Sequence, residues 1–77
     1  MHYVYATRSN EKNYIYVGLT NCVERRFNEH NLGYVRKTKY YSPFTLIYSE
    51  ECKTRNSARK REKYLKRGFG REFLKSL

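Results

Sequence analysis

The 77-residue sequence has no aspartate: all seven of its acidic side chains are glutamates, set against seventeen lysines and arginines for a formal net charge of +10. A chain so short of negative charge repels itself, at a cost in stability, unless a polyanion is its partner. Any carboxylate needed for a metal must come from those few glutamates. Cysteine is scarce as well, and Cys22 and Cys52 lack the spacing and the histidine company of a zinc site or a disulfide framework, so both read as reduced, structural thiols. No apolar run is long enough to span a bilayer and no stretch has the layout of a signal peptide, which predicts a cytoplasmic protein drawn to the nucleoid by its charge. No segment pairs a clean apolar face with a basic one, which argues against a membrane-surface partner. Repeats and linkers are missing too, so residues 1–77 read as one domain.

What the sequence does contain is aromatic surface. It is 39% hydrophobic and 17% aromatic, with nine tyrosines and four phenylalanines. A chain this short buries only about 60% of the surface its unfolded form exposes. Large rings carrying a polar edge must therefore supply much of a thin core.

Residues Tyr3 to Thr7 alternate, Val4 and Ala6 opposing Tyr3, Tyr5 and Thr7, and the alternation returns from Tyr14 to Leu19. With the polar Arg8 to Asn13 as a turn, the two runs predict a hairpin. Direct pairing of Tyr5 with Tyr16 centres that turn on Asn10 and Glu11 and sets the phenols side by side. Gly18 then lies on their face, where its missing side chain leaves room for a close approach. Asn21 and Glu24 resemble a capping box opening a helix from Cys22 to Leu32 that Gly33 ends, with Val23, Arg26, Phe27 and His30 on one stripe. Gly33 to Ser42 reads as an exposed basic loop closed by Pro43, and Phe44 to Glu50 as a third strand. Thr54 or Asn56 caps a second helix that runs to Arg67 and stops at Gly68, and a short terminal helix spans Arg71 to Leu77. The prediction is an α+β fold of order ββαβαα: a small three-stranded antiparallel sheet flanked by helices.

Among the glutamates, Glu62 stands out because the helical period sets it on the inward stripe with Ala58 and Leu65, while Arg59, Lys60 and Lys63 point elsewhere. A carboxylate there is paired or functional. The plainer expectation is an ion pair with Arg26; the sharper one is a hard-oxygen ligand for Mg²⁺, which uses one or two carboxylates beside phosphate oxygens and waters. Tyr5, Tyr16, Arg26 and His30 are each ordinary alone. As a set with Glu62, they are expected to face one side of the sheet.

That set resembles the GIY-YIG nuclease family, in Tyr3-Val4-Tyr5, in Tyr16-Val17-Gly18, in the run from Tyr16 to Asn31 that carries Arg26 and His30, and in Glu62 within Ala58-Arg-Lys-Arg-Glu-Lys. The likeness spans almost the whole chain and is nearest to short stand-alone bacterial members similar to the N-terminal nuclease domain of the repair protein UvrC. It implies a metal-dependent endonuclease acting on DNA, with RNA or branched DNA as alternatives. In that reading Tyr16 activates water, Tyr5 is its hydrogen-bonded neighbour, Arg26 clamps the phosphate, His30 assists Tyr16, and Glu62 holds one Mg²⁺ or Mn²⁺. Gly18, Arg25, Arg36, Lys37, Lys39, Tyr40, Arg59 and Lys63 are the expected nucleic-acid contacts, on a monomer or weak dimer recruited by a partner protein. The sequence departs from the family pattern at Tyr3, where glycine is usual, and in having no asparagine after Asn56. Those departures define the alternative, a nucleic-acid-binding module of the same fold with weak or no catalysis.

Overall fold

The two alternating runs form the hairpin that organises the fold. The computed structural model describes all 77 residues and gives β1 (His2–Ser9), β2 (Ile15–Thr20), α1 (Val23–Asn31), β3 (Phe44–Cys52), α2 (Arg55–Leu65) and α3 (Gly68–Lys75). The strands make one antiparallel sheet in the order β2-β1-β3, so the fold is α+β with the order ββαβαα. No helix is long and apolar enough to cross a membrane.

The register differs from the expected one. Tyr5 pairs with Gly18 and Thr7 with Tyr16. The slip is two residues, which keeps every side chain on its face, as a one-residue slip would not. Its local cause is Ser9, whose backbone N–H donates to the Tyr14 carbonyl at 2.9 Å and whose Oγ accepts from the Lys12 N–H at 3.0 Å, holding the turn closed around Lys12.

Each face of the sheet has its own layer. Val4, Ala6, Val17 and Cys52 project toward α2 and α3, where Ala58, Leu65 and Leu74 complete an aliphatic core rimmed by Ile15, Leu19, Ile47 and Tyr48. Leu65 and Leu74 are fully buried, each worth roughly 1.5–3 kcal/mol. The terminal helix begins three residues earlier than its sequence suggests, because Gly70 lies against the end of α2. A Cβ there would sit 2.2 Å from the Tyr64 carbonyl oxygen, so only glycine lets the two helices pack this closely. Arg8 donates to the carbonyls of Leu77, Leu74 and Lys75 at 2.9, 3.1 and 3.3 Å, placing a cation at the negative end of α3.

The other layer is α1 and the segment after it. The Asn21 capping box does not form: the N-cap is Cys22, without a side-chain cap, and the Asn21 carboxamide accepts from Arg25 at 2.9 Å instead. Thr54 does cap α2, accepting from the Ser57 N–H, while Ser57 Oγ accepts from the Thr54 N–H in return. The basic loop is less exposed than its composition predicts. Thr38 is fully buried, Lys39–Tyr41 form one 3-10 turn, and Tyr41 stacks on Tyr14 with centroids 3.8 Å apart.

Candidate active site

Tyr3, Tyr5, Thr7 and Ser9 alternate onto the α1 side of the sheet, and the site is built there. Because Tyr5 faces Gly18 across the strands, Tyr16 reaches it diagonally, with ring centroids 6.2 Å apart. A Cβ on Gly18 would fall 2.8 Å from both the Tyr16 ring and the Tyr5 hydroxyl, so the glycine is what lets the two phenols share this spot. Tyr5 is fully buried, whereas Tyr16 is half-exposed.

His30, on the buried stripe of α1, approaches both rings, 5.8 Å from Tyr5 and 4.9 Å from Tyr16 between centroids. Its hydrogen bonds go elsewhere than to Tyr16. Nε2 meets the Tyr5 hydroxyl at 2.7 Å and Nδ1 meets Thr38 Oγ1 at 2.7 Å, while Thr38 Oγ1 donates to the Val35 carbonyl at 3.4 Å. Burial, and then the Arg26 charge, lower the His30 pKa, which favours the neutral ring. The arrangement that gives every hydrogen an acceptor runs from the Tyr5 O–H to Nε2, from Nδ1–H to Thr38, and from Thr38 to Val35. Burial first, then Tyr16, push the Tyr5 pKa up to about 12, against the pull of the adjacent Arg26 guanidinium. Tyr5 therefore keeps its proton at neutral pH and serves as a donor.

Arg26 is half-exposed and pairs with Glu29 on its own helix at 3.0 Å. The expected ion pair between Arg26 and Glu62 does not form, because α1 and α2 pack on opposite faces of the sheet. Glu62 bonds Lys66 instead, at 3.1 Å, with its carboxylate side chain only 16% exposed. Nor does Glu62 share the tyrosine face; it belongs to the α2 layer. Ala58 borders a cleft with Leu19 and Thr20, and Lys66 borders another with Tyr16 and Val17, so the residues four positions before and after Glu62 lie by opposite ends of β2.

The second of these clefts, of about 270 Å³, is walled by Tyr14, Tyr16, Lys37, Lys66 and Arg71 above Ile15 and Val17. Of the expected nucleic-acid contacts, only Lys37 lines it. Arg36, Lys39 and the 72% exposed Tyr40 lie on the surface of the loop beyond α1, Arg25 is held by Asn21, Gly18 is buried between the phenols, and Arg59 and Lys63 lie on the exposed side of α2. Sequence reasoning missed Thr38, Lys66 and Arg71. The i,i+4 spacing of Glu62 and Lys66 was the one available signal for the pair. Thr7 Oγ1, paired in register with Tyr16, is buried without a hydrogen-bond partner.

The donor set bears on which metal would suit the site. No three His, Cys or Glu side chains gather anywhere, so an all-protein cage of the zinc kind has no ligands here. A single half-buried carboxylate, its one ion-pair partner a 53% exposed lysine, fits a hard cation that keeps waters and phosphate oxygens as its other ligands.

A family model described as the GIY-YIG catalytic domain matches residues 1–75. The chain is 35% identical to a UPF0213 protein of Staphylococcus haemolyticus over 77 residues, covering 99% of this chain and 93% of that protein. It is 35% identical to a UPF0213 protein of Clostridium perfringens over 68 residues, covering 87% and 72%, and 39% identical to one of Haloquadratum walsbyi over 66 residues, covering 84% and 73%. No solved structure matches it.

Proposed function

This chain belongs to the GIY-YIG family, and from that premise we propose that it is a metal-dependent endonuclease that hydrolyses phosphodiester bonds in DNA. The observation that carries the reading is the inequality of the two phenols. Tyr5 is buried, committed to His30 and held in its protonated form, whereas Tyr16 is half-exposed on the wall of a cationic cleft. Tyr16 is thus the side chain that, as its phenolate, reaches a water beside the phosphorus and takes its proton, leaving the neutral phenol and a hydroxide to attack. Tyr5, His30 and Thr38 form the rigid chain behind it, His30 fixing Tyr5 while packing its ring on Tyr16.

Arg26 supplies the planar cation for the phosphate. Its bond to Glu29 holds it in place until two phosphate oxygens replace the carboxylate, an exchange that favours the more highly charged transition state. Glu62 is the one candidate for holding Mg²⁺ or Mn²⁺, and such an ion, when bound, polarises the phosphate and stabilises the leaving oxygen. Affinity for the polyanion comes from Lys and Arg spread over the loop and α2.

Glu62→Gln tests the reading: Mg²⁺-dependent cleavage of a labelled duplex is lost while the same duplex is still retarded on a gel. Cleavage at the wild-type rate would remove the metal assignment. A second reading, a binding module of the same fold without useful catalysis, is favoured by Tyr3 and by the absence of a late asparagine. Under it, a chelator leaves salt-sensitive binding unchanged and no Mg²⁺-dependent product forms.

A further inference from the structure

Lys66 touches two places at once. Its ammonium group bonds the Glu62 carboxylate at 3.1 Å, and its side chain, 53% exposed, helps wall the cleft that holds Tyr16. Lys37 and Arg71 share that cleft, and neither forms an ion pair, since the five pairs in the molecule involve Arg25, Arg26, Arg61, Lys66 and Lys75. The cleft floor is β2, an edge strand bonded only to β1, so backbone groups along its outer side are unpaired. Two unpaired cations and a third that is loosely tied, over an open strand edge, form a receptor for an anion rather than for an apolar or cationic ligand.

We infer that this cleft receives a backbone phosphate of the nucleic-acid substrate, and that Lys66 leaves Glu62 to bind it, freeing the carboxylate for a divalent cation only when substrate is in place. The inference rests on the assignment of Glu62 above and adds a binding site and an order of events. A Glu–Lys pair of this spacing whose lysine is 53% exposed shifts an equilibrium only about twofold, so a phosphate flanked by Lys37 and Arg71 displaces it. While Lys66 stays, an incoming dication meets a positive charge 3.1 Å from its own ligand and is repelled. Substrate removes that repulsion and adds phosphate oxygens as further ligands.

The test is Mn²⁺ binding, followed by its magnetic resonance signal, on wild type, Lys66→Met, Arg71→Met and Glu62→Gln. Each is measured with and without a short phosphorothioate duplex, after subtracting the Mn²⁺ held by the duplex alone. Wild type should bind Mn²⁺ roughly tenfold more tightly with the duplex present. Lys66→Met should bind about 3- to 10-fold more tightly than wild type without duplex, and gain little when duplex is added. Arg71→Met should match wild type without duplex and bind the duplex more weakly. Unchanged Mn²⁺ affinity in Lys66→Met without duplex, or full coupling retained in it, overturns the handover while leaving the Glu62 assignment standing. Wild-type Mn²⁺ affinity in Glu62→Gln overturns both.

Discussion

The two faces of the sheet are built from different materials. Toward α2 and α3 lie valine, alanine, leucine and a buried thiol; toward α1 lie two phenols, an imidazole and two buried threonine hydroxyls. The first face is apolar at its centre, with the hydrogen-bonded Tyr48, Glu50 and Arg61 only at its rim. On the second, Tyr5, His30 and Thr38 satisfy one another in a chain, and Thr7 Oγ1 is left without a partner. Aliphatic packing is concentrated on one side and the buried polar chain on the other, with Glu62 and Lys66 on α2 outside both, so substitutions inside the aliphatic core and inside the polar chain should separate folding from the proposed activity.

The largest break comes from the aliphatic side. Leu65→Ala leaves a cavity among residues with nothing to refill it and should cost about 2–5 kcal/mol, lowering the Tm by at least about 10 °C, while the activity of the molecules that remain folded is unchanged. Calorimetry with active-site titration checks both halves. Next is Thr38→Val, which strands the His30 Nδ1 hydrogen in a buried site at a cost of roughly 1–3 kcal/mol and, unlike Leu65→Ala, also lowers turnover by loosening Tyr5. Denaturant melts and rates measured on the same preparation would show whether both fall together.

Acid should act on the polar face first. The folded His30 pKa is below its ordinary value, chiefly through burial, so on acidification the unfolded chain takes up a proton before the native one does. This contribution is complete above about pH 6.5 and is lost as the pH falls from there toward the folded pKa. Glu50, whose pKa is lowered by the Tyr48 hydroxyl and then by Arg61, sheds its contribution only below the ordinary carboxylate range. Melts of wild type and His30→Gln should diverge as the pH falls from about 6.5 toward the folded His30 pKa, with the variant's stability flat where wild type declines. The smallest effect is Thr7→Val, which removes an unpartnered buried hydroxyl and should leave stability unchanged or raise it by up to about 1 kcal/mol.

Much of this division was legible in the sequence. Strand alternation separated Val4 and Ala6 from Tyr5 and Thr7, and the helical period set Glu62 with Ala58 and Leu65, because both patterns are local and periodic. What escaped depended on contacts across the chain. The two-residue slip of the hairpin arises from Ser9 in the turn, and the early start of α3 arises from the closeness of Gly70 to α2, which in sequence reads as a helix breaker. Thr38 looked like one more polar loop residue between lysines, and only the fold of that loop brings it to His30. The expected Arg26–Glu62 pair failed for a topological reason, since nothing in residue spacing says that α1 and α2 take opposite faces.

The separation of folding from chemistry is tested most directly by Tyr16→Phe, which deletes one hydroxyl from a half-exposed ring. The account predicts Mg²⁺-dependent cleavage of a labelled duplex slowed by about 100-fold or more, with the Tm within experimental error of wild type. Cleavage at the wild-type rate by that variant would contradict it.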